Sequence, residues 1–368
     1  LASTWDYDAR LLRAWNLLTG DLFIMSVYST TLFTDIDFER DGKQVGRVNL
    51  PYSVTRSAYG VIPIPIAVVK NGEGPTVFLM AGNHGDEYEG QIALGNLIRS
   101  LEPDAIAGRV IILPSANLPA ARAGVRVSPL DDANLNRVFP ADPAHGPTHE
   151  IADYIDHCLM PMADIFLDLH SGGGSLNYVP FVSAAFTGNA EQDRKAYDLM
   201  RAFGGPYGQI WNAVDTGATT GGSRTAGGAA LRNGAIEIGG EFGGGAVVDP
   251  DHLHLVERGV RNVLVKAGLM PGASVEDTGP MRLMEANGTD LFSLAPDYGV
   301  FVPAAKLGQE VSRGDLVGTI QNLEHPERAP IEVTFRASGL LICTRAIGRV
   351  EPGDCLGHLA VDADEPQL

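Results

Sequence analysis

The apolar run Phe78-Leu79-Met80-Ala81 breaks off into a small turn, Gly82-Asn83-His84-Gly85-Asp86-Glu87, and this stretch constrains the fold more than any other. Past the turn, Ile92, Leu94, Leu97 and Ile98 recur at helical spacing, so residues 87–101 are expected to form a helix with one buried face. A buried strand that hands over to a helix is the repeating unit of an α/β sheet. Such sheets gather their chemistry at the carboxyl ends of their strands. His84 and Glu87 fall at that edge. An imidazole and a carboxylate three residues apart can both reach one divalent cation, although a solvated surface turn has the same pattern.

The rest of the chain supplies compatible elements. Short branched runs at residues 46–50 and 61–69, with Asn71-Gly72 as a hairpin turn, read as antiparallel strands. Strands are expected at 76–80, 109–114, 165–170 and 235–240, with further helices ending near Leu159, Gly204 and Ala267. Residues 117–147 carry no period, and so long a loop in a compact domain is functional or disordered. Beyond the breakers Pro271 and Gly272 the helical period stops. Val311-Ser312-Arg313-Gly314-Asp315-Leu316-Val317-Gly318 recurs as Val350-Glu351-Pro352-Gly353-Asp354-Cys355-Leu356-Gly357, two similar β-halves with tight Gly-Asp turns. These halves resemble the barrel-sandwich of lipoyl and biotinyl carriers, but no lysine stands at a hairpin tip between them. The expected organisation is an N-terminal extension over 1–36, an α/β catalytic domain over 37–270 and a small all-β accessory domain over 277–368.

Composition excludes several partners. The formal net charge of −18 repels nucleic acid and anionic membrane surfaces, so an anionic substrate needs a local cationic pocket. No apolar run nears the roughly 20 residues that span a bilayer. The first 24 residues lack the basic start and unbroken apolar middle of a secretory signal. Cys158, Cys343 and Cys355 lie far apart, so a disulfide framework is not expected and a reducing compartment fits.

The chemistry-bearing residues fall at strand ends: His84 with Glu87, His170, and Glu241. Two histidines and one glutamate with an open position suit a catalytic zinc ion, one per chain. Glu241, followed by Phe242 and three glycines, is the candidate general base. Glu237, four residues upstream, is a rival base inside the apolar strand. Asp168 lies two residues before His170 and can orient that imidazole, or can be an ordinary strand-end aspartate. In the long loop, Asn136 and Arg137 can grip a carboxylate and Arg126 can balance an oxyanion, unless these arginines simply solvate the loop.

Four features, His84-Gly85-Asp86-Glu87, Asn134-Leu135-Asn136-Arg137, His170 after an apolar strand, and Glu241 before its glycines, resemble the succinylglutamate desuccinylase/aspartoacylase family of the zinc carboxypeptidase clan. The resemblance covers about residues 37–360. Residues 82–90, Arg126-x-Ser128-Pro129 and Asp168-x-His170-Ser171-Gly172-Gly173 are most similar to its branch of N-α-acetyl-L-2,4-diaminobutyrate deacetylases of ectoine degradation. It implies an α/β fold with a zinc-carboxypeptidase-like mixed sheet flanked by helices, plus a small C-terminal all-β barrel-sandwich domain. The implied activity is hydrolysis of the amide bond of a small N-acylated amino acid. The same resemblance implies His84, Glu87 and His170 as Zn2+ ligands and Glu241 as base. Arg126 would lie at the scissile carbonyl, with Asn136 and Arg137 on the substrate carboxylate. A cytoplasmic homo-oligomer without nucleic-acid or membrane partners is also implied.

Arg224, in the glycine-rich segment 215–234, departs from that resemblance, which implies an acidic residue there. If it faces the pocket, it disfavours a cationic substrate side chain. Three other readings stay open: a metallocarboxypeptidase on peptides, a succinylglutamate- or aspartate-type deacylase, and a non-catalytic binding protein on the same scaffold. His149-Glu150-x-x-Asp153 lacks the second histidine of a zincin helix, and no Gly-x-Ser-x-Gly elbow or Gly-Lys-Ser/Thr loop occurs.

Overall fold

The computed structural model describes residues 29–213 and 223–368. The N-terminal arm at residues 1–24 and the glycines Gly221 and Gly222 lie outside them. β1 (Phe33–Thr34), β2 (Gly42–Pro51) and β3 (Val61–Asn71) pair antiparallel. β4 (Thr76–Ala81), α1 (Tyr88–Ser100) and β5 (Gly108–Leu113) form a crossover unit, with β4 and β5 parallel. α2 (Leu118–Ala123) and α3 (Pro147–Tyr154) lead to β6 (Ile165–His170), parallel to β4 on its other side. β7 (Leu176–Tyr178), β8 (Phe181–Phe186), α4 (Ala190–Phe203) and β9 (Tyr207–Asn212) follow. Then come α5 (Ala226–Arg232), β10 (Ile236–Glu241) and α6 (Pro250–Lys266).

The remaining strands are β11 (Arg282–Glu285), β12 (Phe292–Leu294), β13 (Gly299–Pro303), β14 (Glu310–Val311), β15 (Leu316–Gln321), β16 (Ile331–Thr334), β17 (Gly339–Arg345), β18 (Arg349–Val350) and β19 (Cys355–Asp362). Among the described residues the main sheet runs β1-β2-β3-β5-β4-β6-β10-β8-β9-β11-β19-β17-β14. A separate antiparallel sheet has the order β16-β15-β13-β18. The molecule is thus a mixed α/β fold with one large mixed sheet and flanking helices. Its β-rich tail both forms a sheet of its own and extends the main one, β11 lying parallel to β9. No helix among the described residues is long and apolar enough to cross a membrane.

The continuous apolar character of β4 follows from its place in the middle of the sheet, where helices cover both faces. Val77, Leu79 and Ala81 join the core beneath α1, α4 and α6, while Phe78 and Met80 join the opposite core with residues of α3 and α5. All five are fully buried. At the turn, a Cβ on Gly85 would lie 2.0 Å from the backbone carbon of Ala120. On Gly95, in the middle of α1, it would meet nothing nearer than an Arg99 Nη1 at 3.8 Å. Gly85→Ala is therefore expected to cost about 3 kcal/mol or more, since backbone cannot rotate away from the added methyl. Gly95→Ala is expected to stabilise by about 0.5–1 kcal/mol through helix propensity. Thermal unfolding of the two variants side by side checks these opposite signs, and equal midpoints would mean that the turn yields.

Three expectations are corrected. Asn71-Gly72 does end β3, and Gly72 has φ 63°, but the next strand β4 pairs with β5 and β6 rather than folding back on β3. Turn chemistry fixes a reversal of the chain, whereas the choice of strand partner is tertiary. The segment 117–147 is not structureless: Asn117 caps α2 by accepting from the Ala120 amide, and Gly124 ends it at φ 63°. A six-residue helix is too short to show a period. Finally, β8 and β9, short strands with a weak apolar pattern, are present between the expected elements.

Candidate active site

Glu87 occupies the N-cap position of α1, yet its side chain makes no capping bond. Its carboxylate is held instead between two imidazoles. His84 Nδ1 lies 2.7 Å from Oε1, and His170 Nδ1, from the end of β6, lies 2.8 Å from Oε2. The Ser171 amide and an Arg126 guanidinium nitrogen add contacts at 3.3 Å. Glu87 is 3% exposed and His84 is equally buried. Donor atoms of His84, Glu87 and His170 all lie within 4.8 Å of one another, so the sequence-expected ligands converge.

The outer nitrogens of both rings are also engaged. His84 Nε2 is 3.1 Å from Asn134 Oδ1, and His170 Nε2 is 2.9 Å from Asp168 Oδ2. Asp168 in turn accepts from Asn83 Nδ2 through both oxygens, at 3.0 and 2.9 Å. An imidazole whose far nitrogen donates to a carbonyl or carboxylate presents the near one as a lone pair, the arrangement metal-binding histidines use. Burial works to raise the Glu87 carboxyl, but the charges of His84 and His170 outweigh it and hold it well below the usual carboxylate range. Burial works against charge on His170, but Asp168 and Glu87 overcome it and raise that imidazole well above its ordinary value. Two imidazoles and a carboxylate make a donor set that fits a zinc ion.

Glu241, at the end of β10, lies opposite His170 in the parallel register. Its Oε2 is buried without a hydrogen-bond partner. Burial first, and the neighbouring Glu87 charge second, push its carboxyl up to about 8. Asn136 and Arg137 sit in a 3-10 turn over 135–137 beside the cluster. Asn136 Nδ2 is 3.3 Å from His170 Nε2, and its Oδ1 accepts from the Ala226 amide at 2.8 Å. Burial, then the Arg126 guanidinium, lowers the pKa of Arg137. Arg126 and Arg137 thus place two mutually repelling cations within electrostatic reach of Glu87 and Glu241.

A cavity of about 230 Å³ opens beside these groups, with Asn136, Asp168, His170, Glu237 and Glu241 in its wall. Arg224 is exposed and is not among the residues lining it; its backbone carbonyl accepts from the Phe139 amide. The sequence reading names every donor of the cluster and quotes Asn83 and Asn134 within its motifs, but gives no role to these two amides, which steady the ligands. Their one signal is position, Asn83 directly before His84 and Asn134 two residues before Asn136. Tyr178, on β7, was also overlooked; burial first and Glu241 second push its phenol well above the usual range.

A family model described as the succinylglutamate desuccinylase/aspartoacylase catalytic domain matches residues 73–267. The N-α-acetyl-L-2,4-diaminobutyric acid deacetylase of Halomonas elongata is 39% identical over 325 residues, 88% of this chain and 93% of that protein. The product-bound structure of an ectoine utilization protein from Ruegeria pomeroyi gives a TM-score of 0.85 at 34% identity, covering 91% of this chain and 100% of that one. A succinylglutamate desuccinylase/aspartoacylase from Rhodobacter sphaeroides gives 0.85 at 35% identity with the same coverage.

Proposed function

Because the chain belongs to the succinylglutamate desuccinylase/aspartoacylase family of amide hydrolases, we propose that it removes the acyl group from a small N-acylated amino acid, as a deacetylase of the N-acetyl-diaminobutyrate type. One observation carries this reading: Glu87 bridges two imidazoles while the unpartnered Glu241 stands across the strand pair from one of them. His84, Glu87 and His170 would hold one zinc ion. When bound, that ion supplies a Lewis acid that acidifies water and polarises a carbonyl.

The protein's own groups do the rest. Asn134 and Asp168 fix the imidazole tautomers. Glu241 Oε2 takes a proton from the attacking water and delivers it to the leaving amine nitrogen. Arg126 offsets the negative charge that develops on the scissile carbonyl oxygen. Asn136 and Arg137 grip the carboxylate of the amino acid, which the small cavity favours over a peptide. In the same reading, residues 37–270 form the catalytic domain and residues 277–368 a barrel-sandwich accessory domain of a cytoplasmic homo-oligomer.

A panel of N-acetyl, N-succinyl and N-formyl amino acids tests the proposal. Zinc-loaded protein is expected to release acetate from an N-acetyl amino acid, to lose at least about 100-fold in rate after chelation, and to recover on zinc addition. Undiminished turnover by the chelated protein, or release of C-terminal residues from peptides in place of acetate, would overturn it.

A further inference from the structure

The cavity beside Glu241 continues along the sheet, and its floor can be read from the register. Alternate residues of a strand share a face, so Glu237, Gly239 and Glu241 of β10 point the same way. Asp168 of β6 and Ser183 of β8 lie on either side of Gly239, while His170 and Phe181 flank Glu241. Gly239 leaves a gap in the middle row, and Gly227 of α5 leaves another across from it. A Cβ on Gly227 would lie 3.0 Å from Glu237 Oε1, and one on Gly239 would lie 3.4 Å from it. The Glu237 carboxylate thus looks into space that two missing side chains keep clear.

Glu237 is 6% exposed, and its Oε2 has no hydrogen-bond partner. Asp168, by contrast, is satisfied by Asn83 and His170. Among the described residues lining the cavity there is no lysine or arginine. Burial, then the neighbouring Asp168, pushes the Glu237 carboxyl up to about 8, and a ligand that brings a positively charged donor into the cavity would relieve the cost of ionising it. Glu237 lies four residues from Glu241, about 13 Å along the strand between Cα atoms. Both side chains line the same cavity, so a substrate held at Glu241 shares its pocket with Glu237.

We infer that Glu237 is the specificity-determining residue of this site, accepting a hydrogen bond from an ammonium group at the end of the substrate's side chain, so that the preferred substrates are N-acylated diamino acids. This rests on the hydrolase reading above. It also reverses the expectation attached to Arg224, whose exposed side chain does not line the cavity. A substrate with an anionic side chain would find no lysine or arginine among the described residues of the cavity wall and would face Asp168.

The test compares zinc-loaded wild type with Glu237→Gln on N-α-acetyl-2,4-diaminobutyrate, N-acetyl-2-aminobutyrate and N-acetylaspartate. Wild type is expected to prefer the ammonium substrate over the neutral one by at least about 100-fold in kcat/KM, as buried hydrogen-bonding sites do. Glu237→Gln is expected to shrink that ratio at least tenfold, mainly through KM. Glu237→Asp, which withdraws the carboxylate by one methylene, is expected to shift preference toward N-α-acetylornithine. A wild type that prefers the neutral or anionic substrate, or a Glu237→Gln variant slowed equally on all three, would overturn the inference. Calorimetric binding of 2,4-diaminobutyrate and 2-aminobutyrate separates the two proposals, because it needs no turnover. If wild type binds the diamino acid at least tenfold more tightly and Glu237→Gln does not, specificity stands even where hydrolysis fails. Equal binding of the two by wild type would sink the specificity proposal alone.

Discussion

Glu241→Gln is expected to lower kcat by roughly 10²–10⁴-fold, the usual contribution of a positioned general base. The amide keeps the shape of the carboxylate but cannot take a proton from water. Glu241 is outside the convergent donor set of His84, Glu87 and His170, so bound zinc is expected to remain at one per chain. Steady-state kinetics with metal analysis on the same sample checks both halves. A fully active Glu241→Gln enzyme would transfer the role of base to Glu237, the other unpartnered carboxylate of the cavity. Loss of zinc together with activity would make Glu241 a ligand instead.

Glu87→Ala is expected to do more, because it strikes both metal affinity and folding. The substitution removes the carboxylate from between His84 and His170 and leaves Arg126 without its buried partner. Zinc content is expected to fall below about one-tenth per chain, since one of three donors is lost and the remaining two imidazoles face each other. Metal-free Glu87→Ala protein is also expected to be less stable than metal-free wild type, by about 3–5 kcal/mol, as when one side of a buried ion pair is deleted. Denaturant unfolding of both chelated proteins measures this. Matching midpoints would show that the carboxylate carries no structural load and that the cluster is held together only by the cation.

How much of this was legible follows from how far apart the interacting residues lie in the chain. The β4–turn–α1 unit is local: its apolar run, its glycines and its helical period stand within 25 residues, and His84 with Glu87 could be read from them. His170 and Glu241 were legible as strand-end residues, each on a recognisable apolar run. Their meeting at one metal site was expected, but the pairing of β6 with β10 that brings them together spans a long interval and was not legible. The amides Asn83 and Asn134 carry no chemical signature in sequence; in a turn, an asparagine that steadies an imidazole looks like one that meets water. Glu237 was recognised only as a competitor for the base. Its free carboxylate became visible when Gly227, from a different element, was placed above it.

The short strand β7, just past His170, finds its ladder partner in β17 near the far end of the chain, Cys343 opposite Tyr178. A nascent polypeptide that has emerged only through α6 already holds all three convergent donors and Glu241, but not the strand β17 on which β7 is paired. Synthesis must therefore run nearly to completion before β7 finds that partner, and a ribosome-bound intermediate has the reactive groups without the ladder that follows them in the finished fold.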